Sequence, residues 1–106
     1  MSNIQLPKTS FAMVQTAKRE LTPMDLAIPD IDDDSALLQL EACGICGSDY
    51  EQFEDVLRTP MPVVPGHEPL GVIAKIGERA ALRWGVDVGE RVAVETMLSC
   101  RHCSPC

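Results

Sequence analysis

The sequence predicts a mainly β, barrel-like domain. Three observations carry this reading. Apolar runs are short throughout, glycine and proline interrupt them often, and one short segment has helical spacing. Residues 11–18 (FAMVQTAK) read as a first strand, and residues 24–28 as a short apolar piece ended by Pro29. Residues 36–43 (ALLQLEAC) alternate, with Leu38, Leu40 and Ala42 on one face. A strand is the expectation there, and pattern alone leaves a short helix open.

The helical segment comes next. Residues 49–57 place Tyr50, Phe53 and Leu57 at helical spacing, and Ser48 or Asp49 can cap the start. Residues 58–65 (RTPMPVVP) hold three prolines and are expected to be extended or looping. Residues 70–76 (LGVIAKI) form a strand opened by Gly71. Residues 77–89, with Trp84, are a connection, and residues 90–95 (ERVAVE) alternate as a further strand. Internal repeats, low-complexity segments and a strand followed by Gly-x-Gly-x-x-Gly are all absent, so these residues hold no nucleotide-binding unit.

Composition narrows the function classes. A length of 106 residues allows one domain with a modest core. Aromatics are few, so the core must be mainly aliphatic. Sixteen acidic residues against nine basic ones leave a net charge of -7. This opposes a nucleic-acid partner and an anionic membrane surface, both of which need clustered Lys and Arg. Part of the excess is Asp30, Asp32, Asp33 and Asp34, read as a solvated acidic turn. The run lacks the glycine and the distal Glu of a calcium loop. No basic start leads into an apolar run, and no apolar run is long enough to span a bilayer. Cysteine in Cys-x-x-Cys spacing then reads as metal binding before disulfide, in a reducing, cytoplasmic setting.

Two clusters carry chemistry. The first joins Cys46 to His67 and Glu68. Thiolate, imidazole and carboxylate are the three zinc ligand types, and catalytic zinc sites use three protein ligands with one open position. Gly44, Gly47 and Gly66 allow tight or positive-φ turns that let loop residues converge. Ser48 sets a hydroxyl two residues from the thiolate. Asp49 is suited to accept from the far nitrogen of His67. Taken singly, each residue is ordinary: a buried thiol, a satisfied histidine, a solvated carboxylate. Together they predict that the Cys46 sulfur and a His67 nitrogen face one point, about 2.0–2.3 Å from a zinc.

The second cluster is Cys100, Cys103 and Cys106, at a repeated Cys-x-x-Cys spacing. A structural zinc needs four N or S ligands. A disulfide, an iron–sulfur site, a disordered tail and His102 as a stand-in ligand are the competing readings. With three thiolates and no fourth, the two clusters suggest the front part of a larger zinc enzyme.

These motifs also carry a resemblance. EACGICGSD at residues 41–49 and VPGHEPLGVI at residues 64–73 closely resemble the zinc-dependent medium-chain alcohol dehydrogenases. VGERVAV at residues 88–94 resembles the strand before that family's structural zinc lobe, and the Cys100, Cys103, Cys106 series resembles the lobe. The similarity runs from about residue 11 to residue 106. It implies a chaperonin-10-like (GroES-like), partly open β-barrel with one or two short helices, forming the N-terminal part of the catalytic domain. It implies a catalytic zinc on Cys46 and His67, with Glu68 as a direct or exchanging ligand. Ser48 would relay a proton and Asp49 would orient His67. A structural zinc would sit on Cys100, Cys103 and Cys106. Cys43 matches no ligand position and is expected to be a packed thiol. The resemblance further implies NAD or NADP held by a Rossmann domain absent from these residues, a small alcohol or carbonyl substrate, and a homodimer or homotetramer as the full-length protein. These 106 residues alone are expected not to turn over. A non-enzymatic zinc-binding or chaperonin-10-like module is the alternative. Ser48 and Asp49 oppose it, because a purely structural site does not need them.

Overall fold

A computed structural model describes residues 6–96 and Cys103. Strands β1 (Thr9–Ala17) and β2 (Glu20–Ala27) pair antiparallel as a two-stranded ribbon. Strands β3 (Ala36–Cys43), β4 (Pro69–Ile76) and β5 (Arg91–Ala93) form an antiparallel sheet in the order β3-β4-β5. Helix α1 (Gly47–Phe53) lies between β3 and β4, and helix α2 (Glu78–Trp84) between β4 and β5. The sheets do not close on each other, so the domain is mainly β and open, with two short helices.

The elements depart from the sequence reading in instructive ways. β2 begins four residues earlier than the apolar piece suggests, because hairpin pairing recruits polar Glu20 and Thr22. Pro23 fits there because each strand of a two-stranded ribbon has a free edge that needs no donor. β3 is a strand and not a helix. Its alternation does not give one buried face, since register shifts at Leu37/Leu38 and Leu40/Ala42 turn side chains out of phase. Leu40 is 57% exposed as a result. α1 starts at Gly47 and stops at Phe53. Its cap is Cys46, not Ser48 or Asp49. Tyr50 and Leu57 are exposed, so the helical stripe is not a core stripe.

The largest omission is α2, which lies inside the expected connection. Its signals are Glu78 in the first turn, Arg83 in the last and Gly85 at the C-cap with φ 68°. Only Ala80 is buried, so no apolar periodicity betrays the helix.

What fixes α2 is the acidic run. Asp33 Oδ1 accepts the Glu78 N–H at 2.9 Å, and Asp33 carbonyl oxygen accepts the Ala80 N–H at 3.0 Å. Asp34 grips Arg79 with both carboxylate oxygens, at 3.1 and 2.9 Å, and also accepts from Arg83 at 3.2 Å. The run is exposed, as expected, yet it is a tether and not merely a solvated turn. Hydrogen bonding from Arg79 holds the Asp34 carboxyl below its ordinary 3.8. The Ser35 hydroxyl does the same for Asp32.

The buried apolar core of the described residues is small: Val14, Ile73, Ala74 and Ala80. Gln15 is fully buried beside Val14, so both faces of β1 are covered at this point. The proline-rich segment runs extended past it. Val63 exchanges two backbone hydrogen bonds with Gln15, at 2.8 and 3.1 Å.

A depressed carboxylate contributes stability above its unfolded value and loses it as pH falls through the lower folded value. Asp34→Asn is therefore expected to lower the melting temperature slightly at neutral pH. The gap to wild type should close as pH drops below 3.8. It should also shrink in about 1 M salt, where the Debye length falls to about 3 Å. Thermal melts across pH and salt check both trends.

Candidate metal centre

Strand register decides where the donors meet. Cys43 at the end of β3 pairs with Pro69 at the start of β4. The chain running on from Cys43 supplies Cys46, and the chain entering Pro69 supplies His67 and Glu68. Both donor segments thus leave the same end of one strand pair. The ladder continues one step further, with the Gly44 N–H donating to the Glu68 carbonyl at 3.0 Å.

Two glycines make the convergence possible. Gly66 has φ +127°, which disfavours any side chain, and an added Cβ would lie 3.1 Å from Cys43 Sγ. At Gly44 a Cβ would press on Glu68, 3.1 Å from its Oε1. Gly47, expected to serve the same purpose, does not. It is the first residue of α1, has no positive φ and faces open space.

Cys46 caps α1 in an extended conformation. Asp49 reaches back, its Oδ2 accepting the Cys46 N–H at 2.9 Å, which completes a capping box. The same two side chains face the site. Cys46 Sγ lies 3.1 Å from His67 Nε2 and 2.9 Å from Ser48 Oγ. Ser48 Oγ is 3.4 Å from His67 Nε2. Glu68 Oε2 is 3.7 Å from that nitrogen, and Asp49 Oδ1 is 3.4 Å from His67 Nδ1. Asp49 therefore stands behind the ring, and Nε2 points to the thiol, the hydroxyl and Glu68.

Donor atoms from Cys46, Asp49, His67 and Glu68 all lie within 4.8 Å of one another. Ligands of one tetrahedral zinc with bonds of about 2.0–2.3 Å sit about 3.3–3.7 Å apart. The sulfur–nitrogen distance of 3.1 Å and the nitrogen–carboxylate distance of 3.7 Å are close to that spacing. A borderline-soft cation suits the thiolate–imidazole–carboxylate set. The residues present fit a zinc.

A cleft of about 290 Å³ adjoins the cluster, lined in part by Cys43, Ile45, Asp49, Gln52 and Phe53. Cys43 is exposed at its edge and is not the packed thiol expected, because it sits where β3 opens toward the site. Ile45 is 88% exposed. Among the second cluster only Cys103 is described, and it is exposed. Cys100, His102 and Cys106 lie outside the described residues.

Comparison with known proteins bears on these motifs. Residues 32–106 match the family described as the alcohol dehydrogenase GroES-like domain. The chain belongs to this family. A "Probable alcohol dehydrogenase" of Mycobacterium tuberculosis is 50% identical over 95 residues, covering 90% of this chain and 26% of that protein. An erythritol/L-threitol dehydrogenase of Mycolicibacterium smegmatis is 32% identical, covering 100% of this chain and 32% of that protein. An alcohol dehydrogenase of Escherichia coli CFT073, solved in complex with NADH, superposes with a TM-score of 0.76. It is 33% identical and covers 94% of this chain and 28% of that one. The chain thus spans about a quarter to a third of the length of the relatives it matches.

The matched family span includes both donor segments and leaves out β1 and β2. Residues that the sequence reading missed lie partly there. Gln15 on β1 is bonded to Gln52, next to the site on α1, and Gln52 to Thr59. Nothing in FAMVQTAK distinguishes Gln15 from a surface glutamine, because apart from the Ala17 carbonyl its side-chain partners are 37 or more positions away.

The two glycine environments predict opposite outcomes. Gly66→Ala is expected to destabilise the domain by about 1–3 kcal/mol, the usual cost of backbone held in a sparsely populated region. Gly47→Ala, in a helix with open space, is expected to be neutral or to stabilise by up to about 1 kcal/mol. Urea denaturation of the two variants separates them.

Proposed function

We propose that this chain is the zinc-binding catalytic part of an NAD(P)-dependent oxidoreductase that interconverts an alcohol or polyol with its carbonyl. The observation that carries the reading is the convergence of Cys46 Sγ, Ser48 Oγ, His67 Nε2 and the Glu68 carboxylate on one point. A structural metal site has no use for a free hydroxyl among its donors. Family membership and relatives named as alcohol and tetritol dehydrogenases support the same substrate class.

Cys46, His67 and Glu68 would hold the zinc, which when bound supplies a Lewis acid that brings an alcohol hydroxyl toward ionisation at neutral pH. The chain's own residues do the remaining work. Ser48 Oγ, beside both Cys46 and His67, is placed to take the hydroxyl proton and pass it outward. Asp49 keeps the His67 ring turned with Nε2 toward the site, and its second oxygen holds the Cys46 backbone, so one carboxylate orients two ligands. Glu68 is the exchangeable member, since it is the most distant donor from Nε2 and is exposed.

The nicotinamide, NAD or NADP, would be carried by sequence outside these residues and would accept hydride from the carbinol carbon. A structural zinc on Cys100, Cys103 and Cys106 with a fourth ligand from further sequence, a cytoplasmic setting and a homodimeric or homotetrameric full-length protein complete the proposal. No helix among the described residues is long and apolar enough to cross a membrane.

Two measurements test the reading. Cys46→Ser or His67→Ala should remove one zinc per chain by elemental analysis of the full-length protein; full retention of zinc would refute the site. Ser48→Ala should keep that zinc and lower kcat by about 10²–10⁴-fold, while Ser48→Thr stays close to wild type. Unchanged turnover in Ser48→Ala would mean that the proton leaves by another route.

A further inference from the structure

We propose that Gln15, bonded to the C-terminal end of α1 while the metal donors lie at its N-terminal end, is a positioning residue that sets the affinity of the site for its metal. The inference rests on the zinc reading above.

α1 has only seven residues and none of them is buried. A helix this short does not hold itself together, because nucleation is costly and few bonds repay it. Its N-terminal end is the metal cluster itself: Cys46 is the cap, and Ser48 and Asp49 lie in the first turn. Its C-terminal carbonyls need partners from elsewhere. Backbone N–H groups of Asp55 and Arg19 meet the last two, and Gln15 adds a side-chain donor to both. Its Nε2 donates to the Gln52 carbonyl at 3.0 Å and to the Phe53 carbonyl at 3.3 Å. Its Oε1 accepts from Gln52 Nε2 at 2.9 Å. The amide is fully buried.

The same residue holds the other donor segment. The Gln15 backbone exchanges two hydrogen bonds with Val63, four residues before His67. Thr59 Oγ1 donates to Gln52 Oε1 at 2.6 Å and ties the start of that segment to α1. One buried residue thus links α1, which carries Cys46, Ser48 and Asp49, through its side chain to the strand-like segment leading to His67 and Glu68, which its backbone holds. Glutamine is required because the role needs a donor and an acceptor on one neutral head. Leucine or methionine leaves the Gln52 amide without its acceptor and leaves the Gln52 and Phe53 carbonyls only the Asp55 and Arg19 N–H groups, and glutamate sets a carboxylate against those carbonyls. Metal affinity depends on how well the donors are pre-organised, and loss of supporting hydrogen bonds typically lowers it about 10–100-fold.

The test is a Co²⁺ titration of the full-length protein, followed by the thiolate-to-cobalt absorption that disappears in Cys46→Ser. Gln15→Met is expected to weaken that Cys46-dependent binding about tenfold. Val14→Ala is the control, since it thins the core on the opposite face of β1 and leaves the hydrogen bonds of the Gln15 side chain in place. It should lower the melting temperature and leave Co²⁺ affinity unchanged. Equal affinity in Gln15→Met and wild type would overturn the proposal, as would an equal loss in both variants. Absence of Cys46-dependent cobalt binding in wild type would instead overturn the zinc reading beneath it. Should Gln15→Met not fold, Thr59→Val takes its place. It removes only the 2.6 Å bond to Gln52 and should weaken binding severalfold, and unchanged affinity there overturns the proposal equally.

Discussion

The arrangement depends on how a short helix with no buried side chain is kept in place. α1 has no fully buried side chain and only Phe53 as a half-buried large apolar one, so the hydrophobic effect alone positions it weakly. Hydrogen bonds at its two ends fix it. At one end Cys46 and Asp49 close a capping box; at the other the Gln15 amide and the Arg19 N–H meet the Phe53 carbonyl. A buried polar group is costly when unpaired and directional when paired. Gln15 is paired at its side-chain amide, its backbone N–H and its carbonyl. That directionality is what a metal site needs from its scaffold, because donors must meet within tenths of an ångström.

Polar ties recur across the domain. The Asp32–Asp34 run pins α2 through Arg79, Arg83 and two backbone N–H groups. Arg91 on β5 forks onto Glu41 on β3, reaching across β4 at 2.8 and 3.2 Å. Its hydrogen bonds hold the Glu41 carboxyl below the usual glutamate value. Meanwhile Phe11, Ile45, Val56, Leu82 and other large apolar side chains stand exposed. Among the described residues, cohesion comes from strand ladders and these charge-assisted bonds more than from a deep core.

Much of the site was legible in the sequence. The glycines around Cys46 and His67, the acid after the histidine and the Ser-Asp pair after the cysteine each describe local chemistry, and local chemistry is written in adjacent residues. Strands at residues 36–43 and 70–76 were legible for the same reason, since alternation and glycine–proline punctuation are short-range signals. The reading failed where distance decided. α2 lacks an apolar stripe because its partner is a run of aspartates some 45 positions earlier in the chain. Cys43 looked like a packed thiol and is exposed, because the opening beside β3 depends on where residues 65–66 pass. Gly47 looked like a turn glycine and is a helix residue, because the cap fell on Cys46.

By itself, then, the sequence determined the donor types, their order and the turns that let them converge, because ligand chemistry and backbone preference belong to single residues and their neighbours. Only the tertiary structure decided that the donors meet. The Cys43–Pro69 register places both donor segments at one end of the β3–β4 pair. Gln15 then joins α1, through its side-chain amide, to the segment before His67, through its backbone. Both are contacts between residues far apart in the chain, and their geometry exists only once the backbone has closed on itself.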